Sequence, residues 1–209
     1  MPFKLSKIIV VSTAEGVEQQ GTDKKWAFNI FQNNDIYFYI DKNNEYKSEK
    51  QMYIDSVSIE NIEVINSPQI GEIKAYMPNS SEGRMYSYAE DSIVDEVLKY
   101  NGATRSDSRN LKIGNQGGNI AIRFSNTGIG KYESNDDEQI VHDGTLIKKL
   151  EKTTDDIKFT VNFDFIIVIN KNKYKAKITL DLPCGDIVEN GTANYEKSDM
   201  KDIIFKREK

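Results

Sequence analysis

His142 is the only histidine of this 209-residue chain, and it stands beside Asp143 and a few residues after Asp136, Asp137 and Glu138. Imidazole and carboxylate groups in one short segment are the donors of a divalent-metal site or of an acid–base pair. A calcium loop needs oxygen ligands at alternate positions, a central glycine and a distal glutamate, and that spacing is missing here. The segment reads as a solvated acidic turn leading into a helix cap. Metal-dependent hydrolysis through Asp136, Asp137, Glu138 and His142 is the enzymatic alternative. No catalytic set, resident metal or cofactor is expected.

Cys184 is the only cysteine and follows Pro183. A thiol nucleophile needs a base and a group to orient that base, and only His142 is available for the first role. An incidental or buried thiol is the expectation. Two glycine-rich stretches invite a nucleotide reading. Gly128-Ile129-Gly130-Lys131 has the Gly-Lys of a phosphate loop, but Ser125 stands where its first glycine belongs and Tyr132 where Ser or Thr binds magnesium. Gly114 to Asn119 lacks the dinucleotide spacing and precedes a strand pattern instead of a helix. Both are expected to be hairpin turns.

Of the eleven tyrosines, Tyr37, Tyr39, Tyr46, Tyr53, Tyr76, Tyr86 and Tyr88 crowd the first half. Tyr37 and Tyr39 alternate with Ile36, Phe38 and Ile40, so the rings belong on the face opposite the apolar row. An aromatic face of this kind binds sugars or proteins, because tyrosine offers large contact area at low entropic cost. Tyr37, Tyr39, Tyr86 and Tyr88 are the candidate contact residues. The alternative is that this face meets a second sheet or loop of the same chain.

These side chains need a scaffold, and the clearest pattern for one runs from Asp155 to Pro183. Every odd position from Ile157 to Ile169 is apolar, while Lys158, Thr160, Asn162 and Asp164 fill the first even ones. That is a strand with one buried face. After a polar turn over Asn170 to Lys173 the parity flips, with Tyr174, Ala176, Ile178, Leu180 and Leu182 apolar. An even-numbered loop keeps both rows on one side and pairs Ile169 with Tyr174 and Phe165 with Ile178. The lysines at 158, 171, 173, 175 and 177 make the outer face of this hairpin basic, which serves solubility and discourages edge pairing.

Elsewhere, Leu5 to Ser12 has no clean alternation and reads as a strand covered on both faces. Ala14 to Lys25 reads as a loop. Trp26 to Ile30 and Ile36 to Ile40 read as two strands joined by a turn at Gln32 to Asp35. A bulge near Glu60-Asn61 reconciles the two apolar phases of Met52 to Ile65. Ile73 to Tyr76 is a strand. Tyr88 to Tyr100 reads equally as helix or strand, and Leu146, Ile147 and Leu150 form a short helix after an Asp143 cap. Asp202 to Lys206 is a closing strand. Asn61 to Gly71 and Asn119 to Gly130 faintly echo one another.

About ten short strands with one or two short helices predict an all-β antiparallel sandwich, as one large unit or two stacked ones. The corresponding division is a β-rich half at 1–101, a loop or linker at 102–110 and a sandwich half at 111–209 holding the hairpin 157–182, or else one continuous domain. Net charge is −5, from 28 basic and 33 acidic residues, which gives no overall attraction to nucleic acid. A single cysteine, with no signal-peptide pattern and no long apolar run, points to the cytoplasm and away from membranes.

The run NQGGNIAIRFSNTGIGKYESNDDEQIVHDGTLIKKL, with LDLPCG and DIIFKRE, resembles uncharacterised small cytosolic β-rich proteins of low-GC bacteria and their prophages. That resemblance carries no activity. It suggests a phage or mobile-element factor that inhibits a bacterial defence protein or sequesters its signal. The functional expectation is a non-catalytic module with a protein partner. A self-associating structural component of a phage particle is the alternative.

Overall fold

The computed structural model describes residues 1–19, 26–76, 98–101, 105–106, 112–114, 116–134 and 145–208. Long strands come first in the chain: β1 (Phe3–Gln19), β2 (Ala27–Lys42), β3 (Ile54–Asn66) and the shorter β4 (Glu72–Tyr76). Then follow β5 (Leu98–Asn101), β6 (Arg105–Ser106), β7 (Lys112–Gly114) and β8 (Gly117–Glu133). Two short helices, α1 (Thr145–Lys149) and α2 (Thr154–Ile157), precede β9 (Phe159–Ile169) and β10 (Asn172–Leu182). The last elements are α3 (Ile187–Asn190), β11 (Thr192–Lys197) and β12 (Lys206–Arg207). None of the described helices is long and apolar enough to cross a membrane.

The strands form two antiparallel sheets, so the chain is an all-β sandwich. The seven-stranded sheet runs β11-β1-β2-β8-β7-β6, with β4 also paired to β8, and the five-stranded sheet runs β12-β10-β9-β3-β5. Both sheets mix strands from the two halves of the sequence, and Arg105–Ser106, inside the segment read as a linker, pairs with β7. The sheets meet through alternate side chains. Phe163 of β9 stands edge-on to Phe38 of β2 at 5.9 Å and stacks on Phe124 of β8 at 6.3 Å, while Phe165 lies 4.8 Å from Phe38. These four rings are at most 1% exposed, and each contributes about 2–3 kcal/mol by leaving water.

The central hairpin keeps the expected face but not the expected register. Its loop is only Asn170-Lys171, both with positive φ (45° and 64°), the conformation of a two-residue turn matched to strand twist. Ile169 therefore pairs with Asn172 and Phe165 with Ala176, a shift of two residues that leaves every side chain on its original side. Ile157 is not in the strand; it ends α2 and packs elsewhere. The even positions also differ from expectation. Thr160, Asn162 and Asp164 are 7–9% exposed, because β9 lies between β3 and β10 and their side chains close over it. Asn61 donates to Asp164 at 2.7 Å, and Thr160 donates to Asp181 at 2.7 Å. Nor is the outer face simply basic. Lys158 pairs with Asp155, Lys173 with Glu60 and Glu208, and Lys175 with Asp164 and Glu208.

Five further expectations change. In β1 a register irregularity between Leu5 and Lys7 restores one buried row, Phe3, Leu5, Ile8 and Val10, while Ile9 and Val11 stay half-exposed. The same strand continues through the supposed loop to Gln19. Gln32 to Asp35 is no turn but the middle of β2, and the stretch Asn126 to Lys131 is no hairpin but a distorted part of β8, with Gly128 at φ 73°. Ile203 and Phe205 are not in a strand; they pack as partly buried side chains on the main core, with only Lys206–Arg207 pairing to β10. The expected bulge in β3 is present, with Asn61 at φ 53° and a register shift between Glu60 and Glu63. Gly114 and Gly117 face each other across the predicted tight hairpin.

A second apolar cluster lies at one end of the long strands, where Ala14, Phe28, Ile30 and Ile129 meet Leu146, Ile147, Ile157, Ile187 and Val188 from the three helices. The short helices are held by their caps and each other. Asp186 accepts from the Val188 and Glu189 amides to cap α3 and from the Thr154 hydroxyl at 2.7 Å. The Thr154 bond is the largest of the contacts that hold the Asp186 carboxyl below its ordinary range. Lys148 of α1 pairs with Glu189 of α3 at 2.8 Å.

Candidate functional site

Strand register places Tyr37 and Tyr39 on the outer face of the seven-stranded sheet. Tyr39 sits between Lys7 and Asn119, Tyr37 between Ile9 and Ala121, and Asp35 between Val11 and Arg123. Ile9, Val11, Tyr37 and Tyr39 are all half-buried, so they form a short apolar and aromatic stripe along β1 and β2. Lys7 lies over the Tyr39 ring at 4.6 Å and reaches Glu196 at 3.9 Å. At the other end of the stripe Arg123 grips Asp35 with two bonds, Nε at 2.5 Å and a second guanidinium nitrogen at 2.8 Å. A forked guanidinium–carboxylate pair orients both side chains, and here they are only 24% and 14% exposed.

The charges bordering the stripe thus already have partners within the sheet. A molecule laid on this face covers apolar surface without stripping water from an unpaired charge. The rings and half-covered aliphatic groups of the stripe offer apolar contact area.

Tyr86 and Tyr88 lie outside the described residues, as do Asp136, Asp137, Glu138, His142 and the Asp143 cap. Among the described residues no group of three or more His, Cys, Asp or Glu side chains is placed to hold a metal ion.

Cys184 is half-buried against β1. Its backbone amide donates to the Ser12 hydroxyl at 3.0 Å, and its Sγ lies 3.3 Å from the Ala193 carbonyl oxygen. Ser12 in turn donates to Asn34 Oδ1 at 2.7 Å, and Asn34 donates to the Phe124 carbonyl at 3.1 Å. This chain of bonds belongs to a buried polar belt of Ser12, Gln32, Asn34 and Asn126 on the inner face of the seven-stranded sheet, all 0% exposed, while Asn33 and Ser125 bond to each other on its outer face. The belt crosses three strands and separates the two apolar clusters. An Asn-rich tract signals it in the sequence, but the same tract also signals a turn. Cys184 also lines an open cleft of about 610 Å³, where Asn66, Thr160 and Asp181 form a hydrogen-bonded wall.

No protein-family model, curated protein or solved structure matches this chain.

Proposed function

We propose that this chain is a non-catalytic binding module that engages a protein partner through the outer face of its seven-stranded sheet, centred on Tyr37 and Tyr39. The observation that carries the reading is the stripe itself: Ile9, Val11, Tyr37 and Tyr39 are half-exposed side by side, bordered by the paired charges Lys7–Glu196 and Asp35–Arg123. An apolar, aromatic centre inside a polar rim is the anatomy of a protein interface, and tyrosine is among the residues that concentrate binding energy there. The face rests on three long paired strands, so little order is lost on docking.

The test compares two baits. Wild-type protein and a Tyr37→Ser/Tyr39→Ser double variant, both checked for the same melting curve, are used to capture partners from a lysate of the source organism. A partner retained by the wild type and released by the variant supports the reading. Equal retention by both baits, or no enriched partner on either, overturns it.

A further inference from the structure

The long strands have a second end, opposite the three helices, where the start of β1, the end of β2 and the β7–β8 turn converge. A cleft of about 310 Å³ opens there, at the small end of the range for ligand pockets. Its lining includes Lys42 and Lys50 and no acidic side chain; Asp41, Glu45 and Glu49 belong to the same segment but not to the lining. Among the described residues neither lysine takes part in an ion pair, in contrast to Lys173 and Lys175 on the hairpin. The Tyr46 ring also lines the cleft and is 42% exposed.

The walls are fixed in place. Asn43 bonds through its backbone amide to the Pro2 carbonyl at 2.9 Å and through its side-chain amide to the Met1 carbonyl at 3.0 Å. Its own carbonyl accepts from the Tyr46 amide at 3.0 Å. On the far side Gln116 donates to the Met52 carbonyl at 3.1 Å. The segment carrying Lys42 and Tyr46 is therefore pinned to the N-terminal strand, and Gln116 pins the opposite turn to the entry of β3.

We propose that this cleft binds a small organic phosphate of mononucleotide size, with Lys42 and Lys50 on the phosphate and Tyr46 stacked on the base. Lysine ammonium groups meet phosphate as point charges, and a tyrosine ring stacks on any base because every base has a π-face. The cleft and the tyrosine stripe are separate places on the molecule, and this proposal stands or falls independently of the protein-binding one.

The probes are adenosine monophosphate, ribose 5-phosphate and inorganic phosphate, titrated into the intact chain and followed by amide chemical shifts. Adenosine monophosphate is expected to move the Tyr46, Lys50 and Gln116 signals saturably and to bind more tightly than the other two. Lys42→Glu/Lys50→Glu is expected to weaken it at least about tenfold, or about 1.4 kcal/mol. Tyr46→Ala is expected to bring adenosine monophosphate down to the affinity of ribose 5-phosphate. These side chains are exposed, so the variants keep the wild-type melt. No saturable shift at millimolar adenosine monophosphate, or unchanged affinity in the charge-reversed variant, overturns the site. Equal binding of inorganic phosphate and the nucleotide overturns the assignment to a nucleotide.

Discussion

A Cβ built on Gly16 lies 2.8 Å from Leu146 Cδ1, so α1 rests on β1 at the one position where the strand has no side chain. Gly16 pairs with Ile30, which pairs on its other side with Gly130, and a Cβ there lies 2.6 Å from Leu150 Cδ1. The two glycines flank Ile30 and form a shallow seat for the helix. Gly16→Val is expected to destabilise the protein by about 1–3 kcal/mol through overpacking, since Leu146 is buried and has nowhere to turn. Gly130→Ala should cost less, because half-buried Leu150 can rotate away. Urea denaturation of both variants checks the order; a Gly16→Val midpoint equal to the wild type would contradict the seat.

Phe163 touches both Phe38 and Phe124 and is fully buried. Phe163→Ala is expected to cost about 3–5 kcal/mol, read as a fall in the denaturation midpoint at unchanged slope. Phe163→Asp is expected to prevent folding, because it places an unpaired charge in the core. A soluble, cooperatively melting Phe163→Asp protein is the result that would refute this placement.

Lys171 holds φ 64° at the second position of the hairpin turn, where its side chain crowds the backbone. Lys171→Gly is expected to stabilise the protein by about 0.5–1 kcal/mol, by relieving that strain and matching the Asn-Gly turn. The backbone bond from Lys171 to Asp55 at 2.7 Å survives the change. A thermal melt decides it, and a lower melting temperature would show that the lysine side chain matters more than its backbone conformation.

Glu208 fastens the C-terminal segment to the hairpin. It pairs with Lys173 at 3.1 Å and Lys175 at 3.2 Å, and its amide donates to the Lys173 carbonyl. The Lys173 bond first, then the Lys175 bond, holds the Glu208 carboxyl below its ordinary value of 4.5. Its stabilising contribution is thus present above pH 4.5 and lost as pH falls through the lowered value. The same carboxylate is the main cause that raises both lysines above 10.5, so their share is present below 10.5 and lost as pH rises through the raised values. Hydrogen exchange over residues 198–208, taken relative to the intrinsic amide rate at each pH, should therefore be slowest between these limits. Glu208→Gln is expected to speed it at pH 7 and to flatten its acid dependence; exchange unchanged at pH 7 would mean that Phe205, packed on Phe165 at 6.2 Å, holds the segment by itself.

Local pattern specified faces but not partners. The apolar row from Phe159 to Ile169 was legible because a strand alternates with period two whatever it pairs with, and the bulge at Asn61 was legible because one extra residue reverses that phase. The hairpin register was not, because a loop of two and a loop of four residues obey the same parity. Gln32 to Asn34 carry turn chemistry locally, yet Ser12, Ser125 and the Phe124 and Ile157 carbonyls supply partners from 22 to 125 positions away, and these bonds hold the tract extended. Gly16 likewise looks like a loop residue until Leu146 comes down on it.

The same division runs through the candidate site. Alternation alone put Tyr37 and Tyr39 opposite the core row, which is where they lie. Their neighbours, Ile9 and Lys7 on one side with Arg123 gripping Asp35 beyond, come from strands distant in the chain, and only sheet pairing sets them in one stripe. The cleft around Lys42, Tyr46 and Lys50 carried no motif at all, since its wall is complete only when folding brings Gln116 to the Met52 carbonyl.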